Sequence, residues 1–516
     1  MATPATQAAA HVSETSSVFK PAMLLMSGQT VAFAATFFIP VVLARVLSPM
    51  EFGTYKQLFL LYSTAFLIGQ VGMATSLYYF VPRSPEDAGR YAANATMFLG
   101  AAGLAGFGLL WAGAPRLAHW MSNAELAQYI PWIGLYLLLM LVSAPLEIVL
   151  VARGRYLWAS AAYALSDIAR AIALIVPVLL FHRLDWLLRG AALVAGLRVV
   201  AAVIYFHRDC GPTFRPDRRL VKGQMTYALP FALAVLVETV QASLPQYVVS
   251  YLYDPISLAI LAVGCLQIPL VSLAASPISD VMMVKMQESL ARGRPRAVLA
   301  IWHDTTCKLA LLMLPMVACL AVVSREVIVF LFTEKYSASV PLFTAWLMTI
   351  LLITLQVDGV MRVFARTRFL LVLNLVRLAI IAGLIKWSLD EFHLLGAILT
   401  AILATFVFKA AALWQMRSWL GVGLAELLPW RRLAGLVAAA SGAALATLLV
   451  KSRMHGSPLT VLLTAGLVYV PVYAALVWVC GLLTDGEREA IAGYARKALF
   501  MTRVPDFRTR TDTEVV

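Results

Sequence analysis

Residues 24–83 contain two apolar segments joined by a short break, in the sequence LLMSGQTVAFAATFFIPVVLARVLSPMEFGTYKQLFLLYSTAFLIGQVGMATSLYYFVPR. Each segment is longer than the roughly 20 residues that an apolar helix needs to cross a bilayer. The break contains Arg45, Ser48-Pro49 and Lys56, and cations beside a turn are typical of a helix end at the membrane surface. This stretch therefore predicts two membrane-spanning helices joined by a short turn.

The same pattern continues along the chain of 516 residues, of which 61% are hydrophobic and only 13% are charged. A soluble protein would carry about a quarter charged residues. We therefore predict an all-α polytopic membrane protein with about 14 transmembrane helices. The predicted spans are 18–46, 52–82, 90–112, 127–152, 156–181, 185–207, 221–252, 255–285, 296–323, 339–365, 368–389, 393–417, 430–450 and 457–484.

Lys and Arg are distributed unevenly between the two sets of loops. Of 41 such residues, 25 lie in one set of loops and tails, 10 lie in the other set, and six lie within predicted spans. Cytoplasmic loops carry the excess of positive charge, so both termini are predicted to be cytoplasmic. The net charge of +14 is spread over many short loops, which argues against a nucleic-acid surface.

An internal repeat divides the chain into two halves. A shift of about 206 residues, or slightly more for the last pair, brings similar segments into register. The matched pairs are Ser48-Pro49 with Asp254-Pro255, Arg90 with Arg296, Gly190 with Gly396, and 151–156 with 363–369. Six spans are an even number, so both halves start on the same side and form a parallel repeat, which in transporters places the substrate between two lobes.

The repeat predicts two six-helix lobes, with two peripheral C-terminal helices outside them. The predicted organisation is a disordered cytoplasmic tail over 1–17, an N-lobe over 18–207, a basic cytoplasmic linker over 208–222, a C-lobe over 223–417, two further spans within 430–484, and a cytoplasmic amphipathic helix and tail over 486–516. The segment 486–500 places its apolar residues on one helical face, which is typical of a helix lying on anionic lipid.

Charged residues inside the spans are the candidate functional residues, because charges at such depths are costly. The six cations are Arg170, Arg198, Lys308, Arg362, Arg377 and Lys409. They would attract an anion into a water-filled cavity, and the planar guanidinium of Arg suits phosphate oxygens. We therefore predict a cationic cavity that binds a diphosphate.

Five intramembrane acids are candidates for coupling to H⁺ or Na⁺: Glu147, Asp167, Glu238, Asp304 and Asp358. Three of these acids precede a cation by three or four residues, in the pairs Asp167/Arg170, Asp304/Lys308 and Asp358/Arg362. Such spacing places both groups on one helix face, where they could simply neutralise each other. Arg198, Arg377 and Lys409 have no acid nearby in sequence and need a partner on another helix.

Enzyme chemistry has little support in the sequence. The five cysteines show no metal-ligand spacing, and we find no phosphate-binding loop and no nucleophile constellation. No predicted outer loop exceeds about 20 residues, which leaves no room for an extracytoplasmic catalytic domain. We expect neither a metal nor a cofactor, and we expect that the protein is not an enzyme.

The N-terminal stretch resembles a known family. The elements LAR-x-L-x-P-x-x-F-G-x-Y at 43–55 and YYFVPR at 78–83 are similar to those of the Wzx-type flippases. These flippases are the polysaccharide transporter branch of the multidrug/oligosaccharidyl-lipid/polysaccharide exporter superfamily. The resemblance implies alternating access between two lobes in a bacterial inner membrane. The implied substrate is an undecaprenyl-diphosphate-linked oligosaccharide for O-antigen, capsule or exopolysaccharide, with membrane lipids, a polymerase and chain-length machinery as partners.

Two other functions remain open from the sequence. A multidrug or cation exporter of the same superfamily would need an acidic or aromatic cavity, which the excess of buried cations disfavours. A membrane glycosyltransferase or polymerase is disfavoured by the short outer loops and the parallel repeat. A flippase for the peptidoglycan precursor is a variant of the first hypothesis.

Overall fold

The computed structural model describes residues 36–454, 456–484 and 486–489. Within these ranges the chain is almost entirely helical and contains no β-strand. The predicted N-terminal tail, residues 18–35 of the first span and most of the C-terminal amphipathic helix lie outside the described residues. The all-α prediction is confirmed.

The N-terminal lobe consists of eight helices, which build six predicted spans. They are α1 (Thr36–Val46), α2 (Pro49–Gln70), α3 (Met73–Arg83), α4 (Ala88–Trp120), α5 (Leu126–Ser143), α6 (Pro145–Ala152), α7 (Tyr156–Phe181) and α8 (Leu184–Cys210). Pairs α2–α3 and α5–α6 each form one span with an internal break. A buried apolar core, including Leu58, Leu137 and Leu188, joins these helices.

The C-terminal lobe repeats this arrangement. Its helices are α9 (Arg218–Leu252), α10 (Pro255–Gly264), α11 (Pro269–Ala291), α12 (Pro295–Val322), α13 (Ser324–Phe332), α14 (Val340–Ile353), α15 (Val357–Val363), α16 (Thr367–Phe392) and α17 (Leu394–Leu420). After the short α18 (Leu424–Leu427), the helices α19 (Trp430–Lys451) and α20 (Pro458–Val479) pack against α12 and α13. These last two helices are the peripheral pair that the repeat predicts.

The described residues contain eleven helical segments that are long and apolar enough to cross a membrane, and two further spans if each bent pair counts as one. One bent pair lies within α9 and the other is α10–α11, which bends by 53°. Together these spans correspond to the second to fourteenth predicted spans. The first is represented by α1, an apolar helix of which the described part begins at Thr36.

Local geometry supports the internal repeat. Ser48 and Asp254 each cap the helix that follows, and Pro49 and Pro255 each occupy its first position, where the missing amide hydrogen costs nothing. Ser48 also exchanges hydrogen bonds with Glu51 in a capping box. A capping residue followed by proline therefore starts the second span of both lobes.

The six-helix repeats carry Lys and Arg mainly at one end of the bundle, here called the basic face; the other end is called the opposite face. At the opposite face α2 and α10 cross so closely that a Cβ at Gly53 would overlap the carbonyl oxygen of Pro255. Nearby, Nε of Arg45 donates a hydrogen bond to the carbonyl oxygen of Leu331 at 2.8 Å. The two lobes are therefore in direct contact at the opposite face.

Breaks within spans expose backbone groups at membrane depth. Between α10 and α11 the residues 265–268 are not helical, and between α14 and α15 the residues 354–356 are not helical. Non-helical backbone inside a membrane is tolerated where it is buried in protein or lines a polar cavity. Broken spans are therefore the places where a binding site is expected.

Candidate functional site

A cavity of about 300 Å³ lies between the two lobes beside the α2–α10 contact. Its walls come from α1 and α2 of the N-terminal lobe and from α9, α10 and α13 of the C-terminal lobe. The polar residues that line it are Thr36, Lys56, Gln246 and Gln267. Both lobes therefore contribute side chains to this inter-lobe cavity, and any relative movement of the lobes would change its shape.

Lys56 is the cation that lines the inter-lobe cavity. Its Nζ lies 5.3 Å from the ring centroid of Phe52 and 5.8 Å from that of Tyr55, in the range of cation–π contacts. No carboxylate of the described residues forms a salt bridge with it. The sequence interpretation placed Lys56 at the outer surface as an anchor, whereas the structure places it on a cavity wall. The helical spacing of Phe52, Tyr55 and Lys56 could have indicated a shared face.

Arg170 lies next to the same cavity. Its Nη2 lies 2.5 Å from the carboxylate of Asp167 and donates a hydrogen bond to the Thr36 hydroxyl at 2.9 Å, and Thr36 lines the inter-lobe cavity. The buried Nε of Arg170 has no hydrogen-bond partner among the described residues. The i,i+3 pair suggested by the sequence therefore exists, and its arginine reaches the cavity border through the hydrogen bond to Thr36.

A second cavity of about 500 Å³ lies between α11 and the broken span α14–α15. It is lined by residues that include Ser276, Asp280, Trp346 and Arg362. We call it the polar cavity. Leu266 and Gln267, in the break between α10 and α11, line both cavities, so the two cavities adjoin there. Of the six predicted cations, Arg362 lines this second cavity.

An ion pair between two helices lies inside the N-terminal lobe. Arg198 on α8 donates from Nη2 to Glu147 on α6 at 2.8 Å and from Nε to the hydroxyl of Ser143 at 3.1 Å. The Glu147 side chain is only 3% exposed and the Arg198 side chain is 19% exposed. Arg198 therefore finds its partner on another helix, and its charge is largely neutralised within the lobe.

A second interhelical ion pair lies in the C-terminal lobe. Nζ of Lys409 on α17 lies 3.1 Å from Asp358 on α15 and donates to the carbonyl oxygen of Leu355 at 2.8 Å. The Asp358 side chain is 39% exposed. The sequence spacing suggested that Asp358 pairs with Arg362, but the structure pairs it with Lys409 on another helix, while Arg362 lines the polar cavity.

The two ion pairs occupy equivalent positions in the repeat. Each joins residues that are 51 positions apart, and a shift of 211 residues carries Glu147 onto Asp358 and Arg198 onto Lys409. In each lobe the cation also bonds to an oxygen beside the break in the fourth span. The pairs therefore tie the fourth span to the sixth in both lobes.

The remaining predicted charges are placed differently. Arg377 on α16 is partly buried, its Nε has no partner among the described residues, and the nearby acids are Asp358 and Glu238. Lys308 lies 2.6 Å from Asp304, as the spacing suggested, with both side chains about half exposed. The structure therefore does not gather all six cations in one cavity: Arg362 lines the polar cavity and Arg170 borders the inter-lobe cavity.

The fold is similar to that of several solved transporter structures. Lipid II flippase MurJ in an inward closed conformation is 13% identical, with 89% of this chain and 98% of that chain covered and a TM-score of 0.71. A multidrug resistance MATE family transporter in an inward-facing conformation is 14% identical, with 78% and 98% covered and a TM-score of 0.56. A MOP superfamily transporter from Pyrococcus furiosus is 15% identical, with 78% and 95% covered and a TM-score of 0.52.

The two-lobe helical fold therefore defines a multi-pass membrane protein with the MOP transporter fold. The profile of a family described as polysaccharide biosynthesis protein matches residues 42–341, more than half of the chain. The chain belongs to this family, which confirms the resemblance found in its N-terminal stretch. No curated protein sequence matches the chain.

Proposed function

We propose that this protein is a flippase that moves an undecaprenyl-diphosphate-linked oligosaccharide from the cytoplasmic to the outer leaflet of a bacterial inner membrane. Membership of a polysaccharide biosynthesis family and the fold shared with a lipid II flippase support this proposal. On this proposal the protein is not an enzyme, both termini are cytoplasmic, and the exported glycan passes to a polymerase and chain-length machinery.

The observation that carries the proposal is the unpaired Lys56 in the inter-lobe cavity. A cation without an acidic partner attracts anions, and a diphosphate is the constant anionic part of such a substrate. Arg170, which is paired with Asp167, brings a guanidinium group to the cavity border through the hydrogen bond from its Nη2 to Thr36. A drug-cation exporter would need the opposite polarity at this place.

Alternating access follows from where the lobes touch. The positive-inside rule assigns the basic face to the cytoplasm, so the α2–α10 contact at Gly53 lies towards the outer side. Release of the head group to that side would require this contact to part, while the lipid tail stays in the bilayer. Coupling to H⁺ or Na⁺ through the intramembrane acids remains a prediction.

Replacing Lys56 tests the proposal in the bacterium that carries the gene. We expect Lys56→Gln to lower surface polysaccharide by about tenfold or more, because one charge-assisted hydrogen bond to phosphate is lost. Lipid-linked intermediates should accumulate facing the cytoplasm. Lys56→Arg should retain much of the activity because it keeps the charge.

The matched control is Lys386→Gln, since Lys386 is an exposed lysine near the same membrane face, at the far end of α16. It should leave export unchanged. Normal export from Lys56→Gln at normal protein level would exclude an anion site at Lys56. Intact polymer in a gene deletion, together with altered drug resistance, would instead favour a multidrug exporter.

A further inference from the structure

We propose that the polar cavity between α11 and α14–α15 is the subsite for an uncharged, hydroxyl-rich sugar of the transported head group. This inference rests on the proposed function, because it assigns a place to the glycan part of the same substrate. It separates two roles: the inter-lobe cavity would hold the diphosphate, and the polar cavity would hold the sugar bonded to it.

The first argument is a polar stripe along α11. Ser272, Ser276 and Ser279 follow one another at spacings of four and three residues, so they share one face of the helix, and all three line the cavity. Hydroxyl groups facing hydrocarbon would gain nothing, whereas hydroxyl groups facing a polar ligand or water can form hydrogen bonds. The stripe therefore indicates that this face of α11 meets a polar occupant.

The second argument is that several polar groups of the cavity are unused. The side chains of Ser276, Ser279, Asp280 and Arg362 form no hydrogen bond or salt bridge with any other described residue, although a carboxylate and a guanidinium are both present. Nε2 of Gln356 donates a hydrogen bond to the carbonyl oxygen of Ile353 at 2.7 Å, which leaves its Oε1 available as an acceptor. Donors and acceptors are therefore both free, as the hydroxyl groups of a sugar require.

The third argument is charge. Asp280 and Arg362 give the lining a formal charge of zero, whereas Lys56 makes the inter-lobe cavity positive. A neutral sugar fits the first environment and a diphosphate fits the second. Trp346 adds a flat apolar surface to the polar cavity, against which the C–H face of a sugar ring can pack. The volume of about 500 Å³ lies within the range of small-molecule sites.

The fourth argument is continuity. In a polyprenyl-diphosphate-linked glycan the first sugar is bonded directly to the diphosphate, so the two subsites must adjoin. They do so at Gln267, which lies in the break between α10 and α11 and lines both cavities. An amide at this junction can donate to a phosphate oxygen and accept from a sugar hydroxyl.

Photocrosslinking in the living bacterium tests the inference with the cell's own substrate. Benzoylphenylalanine replaces Ser276 in the polar cavity, Gln246 in the inter-lobe cavity, or Ser289 further along α11, where the side chain does not line the cavity. Adducts are purified and treated with mild acid, which cleaves the bond between sugar and diphosphate. We expect the adduct at position 276 to keep the mass of the glycan after acid treatment, and position 289 to give none.

Three results would overturn the sugar subsite. An adduct at position 276 that keeps polyprenyl instead of glycan would make the cavity a lipid site. Capture at position 246 but not at position 276 would reject the sugar subsite and leave the proposed function intact. Capture at neither position would count against both.

A pair of variants gives an independent readout. Ser276→Leu places a larger apolar side chain in the cavity at an exposed position. It should lower export by about tenfold, since it removes the proposed hydrogen bond to the sugar and occupies the space of the sugar. Ser289→Leu makes the same change on the same helix outside the cavity and should export normally. Equal export from both variants, at equal protein level, would contradict the inference.

Discussion

The acid of the Glu147–Arg198 pair in the N-terminal lobe is shielded from its surroundings, whereas the acid of the equivalent Asp358–Lys409 pair in the C-terminal lobe is partly exposed. The acid of the first pair is 3% exposed and the acid of the second is 39% exposed. In the first pair Nη2 of the arginine donates to the acid and Nε donates to Ser143. Equivalent acids of the two lobes thus differ in their exposure to solvent.

The residue that lies beside each ion pair differs between the two lobes. A shift of 211 residues carries Ser166, whose hydroxyl lies 3.4 Å from Glu147, onto Arg377, which lies near Asp358. At this equivalent position the N-terminal lobe therefore has a neutral neighbour beside its acid, while the C-terminal lobe has a second cation beside its acid. This comparison indicates that the N-terminal pair is structural, whereas the C-terminal pair belongs to a group of four charges that also contains Arg377 and Glu238.

The largest effect is expected from Arg198→Ala. The substitution leaves the buried Glu147 without its cation, and breaking a buried ion pair in this way costs about 3–5 kcal/mol. The unfolding temperature of the purified protein and the amount of protein in the membrane should both fall strongly. The double variant Glu147→Gln/Arg198→Gln should recover much of the loss, and a failure to recover would show that the pair is not the reason.

Lys409→Ala should have a smaller effect on stability. Asp358 is half open to solvent and Arg377 remains close to it, so we expect a loss of about 1–2 kcal/mol, between the values for exposed and buried pairs. The same thermal measurement on Lys409→Ala and Arg198→Ala makes the comparison direct. Equal losses in the two lobes would mean that the difference in exposure has no energetic consequence.

Arg377→Ser gives the C-terminal lobe the residue type of the N-terminal lobe at the equivalent position. Lys409 still neutralises Asp358, so we expect the protein level to be retained. Surface polysaccharide should nevertheless fall, by about tenfold if one charge-assisted contact to the substrate is lost. The control is Ser166→Ala, a neutral change at the matching place, which should not affect export. Full export from Arg377→Ser would remove Arg377 from the substrate path.

The smallest effect is expected for Glu487, which lies outside the membrane-spanning segments and pairs at 2.6 Å with Arg432 at the start of α19. Partial burial on its own would raise the pKa of this carboxyl, but the Thr484 amide hydrogen and Arg432 hold the pKa below its ordinary value. A lowered pKa stabilises the folded state above the unfolded-state pKa, and the contribution is lost as the pH falls through the folded-state value. Glu487→Gln should therefore cost at most about 1 kcal/mol near neutral pH and nothing in strong acid.

The sequence was sufficient for the architecture because hydrophobic length is set by the bilayer alone. The spans, the even topology and the repeat at Ser48-Pro49 and Asp254-Pro255 follow from apolar runs and from capping chemistry, which are local properties. Thirteen predicted spans have helical counterparts in the structure, including two bent pairs. The i,i+3 pair Asp167/Arg170 and the i,i+4 pair Asp304/Lys308 were also predictable, since both partners lie on one helix.

The candidate site was less predictable because it depends on which helices face each other. The partners of Arg198 and Lys409 lie 51 residues away on another span, and no local pattern identifies them. Lys56 was interpreted as a surface anchor because it lies near the end of a span. At such a position the sequence does not show whether the side chain faces the membrane surface or a cavity. An alignment of the charged residues within the spans of the two lobes, with a shift of 211 residues, could have revealed both ion pairs.

The spacing of 51 residues within each ion pair also has a consequence for biosynthesis. At a synthesis rate of about 5–20 residues per second, the acid of the fourth span is made roughly 3–10 seconds before its cation in the sixth span. During that interval the carboxyl group has no partner, so it must stay protonated, remain near the insertion machinery, or be held by a chaperone. Each lobe thus reaches its final charge pairing only when its sixth span arrives.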